Sequence, residues 1–235
     1  MIKAIFFDWF NTLARYEPPR EELHSQALKV FGIEVSPEEI LPGLLEADSY
    51  FFEENAHSPI AKREPKEQAV VWARYQQMVI EGAGVKVDQE LLPKIMKKVG
   101  ELFKETKWTL FDDALPTLKE LKQQNFIIGL LSNFDKDMKA IFHELSLEPY
   151  LDFAVTSKEV GADKPNPLIF QTALQRAGVD ASEAIHVGDQ YKIDVVGARG
   201  VGITPILIDR YNFRPEINDC PRIRSLFELS DYLKP

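Results

Sequence analysis

The stretch AIFFDWFNTL, residues 4–13, runs through apolar side chains into a carboxylate, Asp8, and then places an aromatic residue, Phe10, two positions further on. Three later apolar runs also end in polar groups: FIIGLLSN (126–133) in Ser132 and Asn133, LDFAVTS (151–157) in Thr156 and Ser157 ahead of Lys164, and AIHVGD (184–189) in Asp189, with Asp194 five residues on. Taken singly, each has an ordinary structural use, because Asp and Ser-Asn commonly cap helices or make turns. Taken together, Asp8, Asp189 and Asp194 form an oxygen-rich set suited to Mg²⁺, a hard cation that keeps waters for a phosphate to replace. A hydroxyl and a lysine on neighbouring loops would then meet the non-bridging oxygens. That chemistry is phosphoryl transfer.

Such residues need a scaffold that brings distant segments to one edge. The near-continuous Ile, Val, Leu and Phe of residues 3–8, 126–133, 151–157, 184–189 and 205–209 predict strands covered on both faces. Helical patterns separate the last four, as in PLIFQTALQRAGV and KIDVVGARG. That alternation predicts an α/β fold with a Rossmann-like parallel sheet, whose ligands gather beyond the carboxyl ends of the strands.

Residues 15–109 interrupt the pattern with helices alone. SPEEILPGLLEADSYFFEEN opens with Ser36, Pro37 and Glu39, a capping box with proline at the first helical position, and DQELLPKIMKKVGELFKET is capped by Asp88. The expected organisation is therefore a core of residues 1–14 and 110–235 and a helical insert of 15–109. The aromatics Tyr50, Phe51, Phe52, Trp72 and Tyr75 of the insert are expected to pack between helices.

The chain has 235 residues, 45% hydrophobic and 28% charged, and a formal charge of −9. Those proportions are those of a folded protein, and the acidic balance disfavours nucleic acid or an anionic membrane as partner. With Cys220 the only cysteine, no internal disulfide can form. The N-terminus reads as mature protein rather than a signal peptide, since an acid interrupts its apolar run, and a cytoplasmic location is expected.

The four motifs resemble those of the haloacid dehalogenase superfamily. DWFNT is similar to its first motif, usually Asp-x-Asp-x-Thr/Val in the phosphatases; LLSN resembles the second, KPNPLIF the third and HVGDQYKIDVVGARGVG the fourth. A helical insert just after the first motif is similar to the family's first-type cap. The resemblance implies that Asp8 attacks phosphorus to form an aspartyl-phosphate. Mg²⁺ would be held by Asp8, the backbone carbonyl of Phe10 and Asp189, with Asp194 in support. Ser132, Asn133 and Lys164 would bind the substrate's phosphoryl group, and the Thr12 hydroxyl would fix the turn by bonding to backbone. His186, inside a strand, is expected to be packed in the core.

Phe10 departs from the pattern. The second Asp of the usual motif protonates the leaving group, which contributes roughly 10²- to 10⁴-fold; Phe10 cannot, although its carbonyl is unaffected. Three readings follow: a Mg²⁺-dependent phosphatase that acts on easy leaving groups or recruits an acid from the cap or the substrate, a phosphonatase-like or 2-haloacid dehalogenase-like hydrolase, and a catalytically impaired binding or regulatory protein. The dehalogenases place an arginine where Glu39 stands here, and the phosphonatases add a cap lysine, for which Lys62 and Lys66 are available. His57, Lys62 and Arg63 form a partly basic stretch that could contact an anionic substrate.

Overall fold

The computed structural model describes residues 1–134 and 138–233. The chain divides into two compact units, residues 1–15 with 109–235, and residues 16–108. In chain order the strands are β1 (Ala4–Phe7), β2 (Ala14–Glu17), β3 (Lys107–Leu110), β4 (Ile127–Ser132), β5 (Phe153–Thr156), β6 (Ala184–Gly188), β7 (Thr204–Ile208) and β8 (Arg222–Ile223). The helices are α1 (Arg20–Lys29), α2 (Pro37–His57), α3 (Pro65–Gly82), α4 (Leu91–Phe103), α5 (Ala114–Gln123), α6 (Lys139–Glu144), α7 (Ser157–Val160), α8 (Pro167–Ala177) and α9 (Val196–Gly200).

Six strands form one sheet in the order β5-β4-β1-β6-β7-β8, with every pair parallel. The five apolar runs are its first five strands along the chain. The two-residue β8 and the separate β2–β3 ribbon carry too few apolar residues to announce themselves. Ile5, Phe6, Phe7, Leu130, Leu131 and Val187 are buried completely, which is why these segments do not alternate apolar with polar residues. β1 has β4 on one side and β6 on the other, and the chain winds outward in both directions from it. Phe7 pairs with Leu130 and with Val187, so Asp8, Ser132 and Asp189 all emerge at the carboxyl edge. Where the order of strand addition reverses beside β1, the flanking loops part and leave an opening at the carboxyl edge.

The second unit is helical, apart from its share of the β2–β3 ribbon. Ser36 and Glu39 close the capping box that the sequence predicts: the Ser36 amide donates to the Glu39 carboxylate at 2.8 Å and the Glu39 amide to Ser36 Oγ at 3.3 Å. Asp88 accepts from the amides of Glu90 and Leu91 at 3.0 and 2.7 Å, so it serves the start of α4 although the helix itself opens three residues later. α2 and α3 approach through two glycines; a Cβ on Gly82 would lie 2.3 Å from the Gly43 Cα, closer than any side chain permits. Leu28, Ile40, Leu44, Val79, Ile80 and Ile95 fill the space among the helices.

Phe51, Phe52, Trp72 and Tyr75 of this unit pack on one another, with Phe51 4.8 Å from Trp72 and Trp72 5.8 Å from Tyr75. Beside them Arg20 grips the buried Asp48 through both nitrogens at 2.8 and 2.6 Å, and the Tyr75 hydroxyl donates to the same carboxylate at 2.9 Å. His24 is buried one turn along α1 from Arg20, and its Nδ1 bonds to the Arg20 carbonyl at 2.8 Å.

Burial pushes the His24 imidazole down to about 4, because a charged ring there would lose its water. A histidine held neutral in the folded state makes no difference to stability above its unfolded pKa of about 6.5 and destabilises as pH falls toward its folded value. At pH 5 this histidine alone should cost the fold about 2 kcal/mol relative to neutral pH. Urea unfolding followed by tryptophan fluorescence at pH 7 and pH 5 should show a loss of that order in the wild type that is absent from His24→Gln.

Candidate active site

The carboxyl edge of the sheet collects four charged side chains from three strands. Asp8 follows β1, Asp189 follows β6, Asp194 lies in a single π-helical turn, Tyr191–Val195, and Lys164 stands between α7 and α8. Lys164 is 1% exposed. Its ammonium donates to Asp8 Oδ1 at 2.6 Å and to Asp194 Oδ1 at 2.7 Å. One oxygen from each of Asp8, Asp189 and Asp194 lies within 4.8 Å of the others.

Local features set each of these positions. Gly188 ends β6, and a Cβ there would stand 2.2 Å from the Asp194 carboxyl carbon; glycine is required for Asp194 to close against the strand. The Gln190 amide then donates to Asp194 Oδ2 at 3.0 Å. Thr156 accepts from the Glu159 amide as N-cap of α7, and Gly161 ends that helix at φ 75, which starts the loop that returns Lys164 to the sheet. Ser132, the last residue of β4, is buried.

Asn133, an expected substrate contact, commits its amide group to the Lys164 main chain: Oδ1 accepts from the Lys164 amide at 2.7 Å and Nδ2 donates to its carbonyl at 3.0 Å. It holds the lysine in place. The Thr12 hydroxyl departs from the backbone bond expected of it. Its hydroxyl is buried with no hydrogen-bond partner among the described residues, so it does not tie the turn to the backbone. His186 is buried, with its ring edge-on to Phe170 at 5.3 Å, as a core residue should be. Yet its Nε2 also bonds to Asp194 Oδ1 at 2.9 Å.

The sequence reading overlooked this polar use of His186, and it overlooked Gln190, whose Nε2 donates to Asp189 Oδ2 at 2.7 Å. It also passed over Arg210, which donates to the carbonyls of Asn11 and Thr12. A signal existed for the last: Arg210 stands just beyond the fifth apolar run, at the same sheet edge as the others. In the helical unit Arg63 is taken up by the end of α2, where it donates to the Glu54 carbonyl at 2.5 Å and to the Ser58 carbonyl at 2.7 Å. His57, Lys62 and Lys66 are exposed.

The electrostatics follow from burial. Desolvation raises the Asp8 pKa, with Lys164 opposing and Asp194 adding to the rise. Desolvation acts on Asp194 in the same sense, but Lys164 and His186 outweigh it and hold that carboxyl below its usual range. Burial alone would lower the Lys164 pKa; the two carboxylates reverse this and raise it. Asp8, Asp194 and Lys164⁺ still sum to one negative charge, with Asp189 alongside. A divalent cation fits that donor set, since all its side-chain donors are hard oxygens and Asp8 Oδ2 accepts no hydrogen bond among the described residues.

Removing the lysine leaves two buried carboxylates without a counter-charge. Lys164→Met should therefore lose roughly 3–5 kcal/mol. The loss should lessen as pH falls and the carboxyls protonate, which chemical denaturation at pH 7.5 and pH 5 will read directly.

Comparison with known proteins gives the arrangement a family. Residues 2–202 match the family model described as haloacid dehalogenase-like hydrolase. The human haloacid dehalogenase-like hydrolase domain-containing protein 3 is 28% identical over 88% of this chain and 82% of its own length. A glyceraldehyde 3-phosphate phosphatase from Methanopyrus kandleri is also 28% identical, over 91% of this chain and 87% of its own. Among solved structures, the magnesium-bound HAD-hydrolase YfnB from Bacillus subtilis shares the fold with a TM-score of 0.66 and 20% identity, over 100% of this chain and 99% of that one. Carried by matching motifs and by one parallel sheet, the conclusion is that this chain belongs to the haloacid dehalogenase-like hydrolases.

Proposed function

We propose that the protein is a Mg²⁺-dependent phosphatase of the cytoplasm, acting on a small phosphorylated metabolite through an aspartyl-phosphate at Asp8. The observation that carries this reading is the triad of carboxylates within 4.8 Å, one of which shares the Lys164 ammonium with Asp8. Relatives named as phosphatases, including the Methanopyrus protein, support the substrate class.

Asp8 has the attributes of a nucleophile aimed at phosphorus. Lys164 opposes the desolvation that makes its carboxylate costly and would offset its repulsion from an anionic substrate. Asp8, Asp189 and the backbone carbonyl of Phe10 would hold Mg²⁺, with Asp194 fixing Lys164. When bound, the ion would draw charge from the phosphoryl oxygens as the bond to the leaving group breaks. Ser132 would meet one of those oxygens from the end of β4. The helical unit, as a cap, would supply the contacts that select the substrate.

Phe10 shapes the chemistry by what it lacks. Without an acid at that position the leaving group departs unprotonated, at a barrier higher by about 3 to 5 kcal/mol for a poor leaving group. The enzyme is therefore expected to favour phosphates whose leaving groups are stable as anions. Carbon–halogen chemistry is disfavoured by Asp189, a third acid with no use in attack on carbon. It is disfavoured also by Glu39, which occupies the arginine position and is bonded into the Ser36 capping box.

A panel of aryl phosphates, alkyl phosphates, phosphonoacetaldehyde and 2-haloacids, run with and without Mg²⁺, tests the reading. Aryl phosphate turnover should require Mg²⁺, vanish in Asp8→Asn and exceed alkyl phosphate turnover by about 10²-fold or more. Phe10→Asp should narrow that gap. Equal rates on aryl and alkyl phosphates, or halide release without added metal, would sink it; no turnover at all would assign the fold to binding.

A further inference from the structure

The turn after Asp8 is tightly wound. Leu13 and Ala14 both donate their amides to the Trp9 carbonyl at 3.0 Å, and the Asn11 amide donates back to the Ala14 carbonyl at 2.8 Å. Asn11 sits in the left-handed region at φ 58, a conformation that costs any residue with a Cβ. Thr12 is fully buried, and its hydroxyl has no partner among the described residues. The carbonyls of Asn11 and Thr12 must therefore be satisfied from elsewhere.

Arg210, almost two hundred positions along the chain, satisfies both. Its Nε donates to the Asn11 carbonyl at 3.2 Å and Nη2 to the Thr12 carbonyl at 2.5 Å. Its outer nitrogens take both oxygens of Asp113 at 2.8 and 2.9 Å. The guanidinium lies 3.8 Å from the centre of the Phe111 ring, and the Phe111 amide donates to the Leu13 carbonyl at 3.0 Å. Asp113 is fixed in turn by the Ser225 hydroxyl at 2.7 Å and the Leu226 amide at 2.8 Å. Burial pushes the Asp113 carboxyl up, but Arg210 and Ser225 more than reverse this and hold it low.

We propose that Arg210, oriented by Asp113, is a positioning residue of the Asp8 site: it holds the turn that carries Phe10 and that brings Asn11 Nδ2 to within 3.4 Å of Asp189 Oδ2. The planar guanidinium is what makes this possible. One fork meets the carboxylate while the remaining N–H groups reach two carbonyls, whereas a lysine ammonium has three donors on one atom and cannot span them. The catalytic half of this assignment rests on the phosphatase reading; the structural half does not.

Amide hydrogen exchange separates the two. In Arg210→Lys, and in Asp113→Asn as a milder variant, the amides of Asn11, Leu13 and Ala14 should exchange about tenfold faster or more, while those of Ile128 and Leu130 in β4 keep their protection. Ile169→Val, which weakens the core elsewhere, should leave the three turn amides unchanged. On an aryl phosphate, kcat of the arginine variant should fall about tenfold or more with KM nearly constant, and its Mg²⁺ affinity should weaken by a similar factor. Unchanged exchange at the three amides, or acceleration spread evenly through β1 and β4, would overturn the assignment. A wild type without turnover, in which the exchange contrast persists, would overturn the phosphatase reading and leave Arg210 as the holder of the turn.

Discussion

A lysine ammonium removed from water between two carboxylates is the interaction on which the rest of this protein's site depends. Lys164, Asp8 and Asp194 come from different parts of the chain, and the hydrogen bonds joining them are 2.6 and 2.7 Å long. Burying any one of these charges alone would cost several kcal/mol, so each is tolerable only while the others are present. The surroundings are arranged to keep them so: Asn133 pins the lysine's main chain, and the Gln190 amide and His186 hold the two oxygens of Asp194. The absence of a side chain on Gly188 gives Asp194 its room.

The excess negative charge that survives this pairing links stability to chemistry. Asp8 remains costly to ionise in its buried position, and as the proposed nucleophile it would have to act ionised. A cation close to Asp8 and Asp189 would lower that cost and, on the phosphatase reading, would draw a phosphate to the same place. On that reading folding, metal affinity and reactivity would be governed by one electrostatic balance, and a substitution that shifts it would move all three. The replacement of the expected acid by Phe10 leaves this balance intact, since a neutral residue at that position adds no further charge to a site already short of positive charge.

The helical unit follows separate rules. Its core closes on two facing glycines and a run of aliphatic residues, with the Arg20–Asp48–Tyr75 network buried alongside. The residues that looked most able to meet a substrate there are occupied or solvated: Arg63 caps α2, while Lys62 lies exposed. A guanidinium near a helix C-terminus meets unpaired carbonyls whatever else it does, and this explains why basic residues between helices are poor guides to substrate contacts.

Patterns that act over a few residues were open to reading from the sequence. The apolar runs that become β1, β4, β5, β6 and β7, the Ser36–Glu39 capping box and the strand-end positions of Asp8, Ser132 and Asp189 all follow from neighbours along the chain. Interactions between distant segments were not. That Asn133 grips Lys164, that no described residue bonds the Thr12 hydroxyl, that His186 serves Asp194 and that Arg210 closes the turn after Asp8 depend on which side chains the parallel sheet carries to one edge. Local composition determines which segments become strands and helices because backbone preference and burial pattern are short-range. Partnerships among buried polar groups are settled only when the fold brings donors and acceptors within about 3 Å of one another.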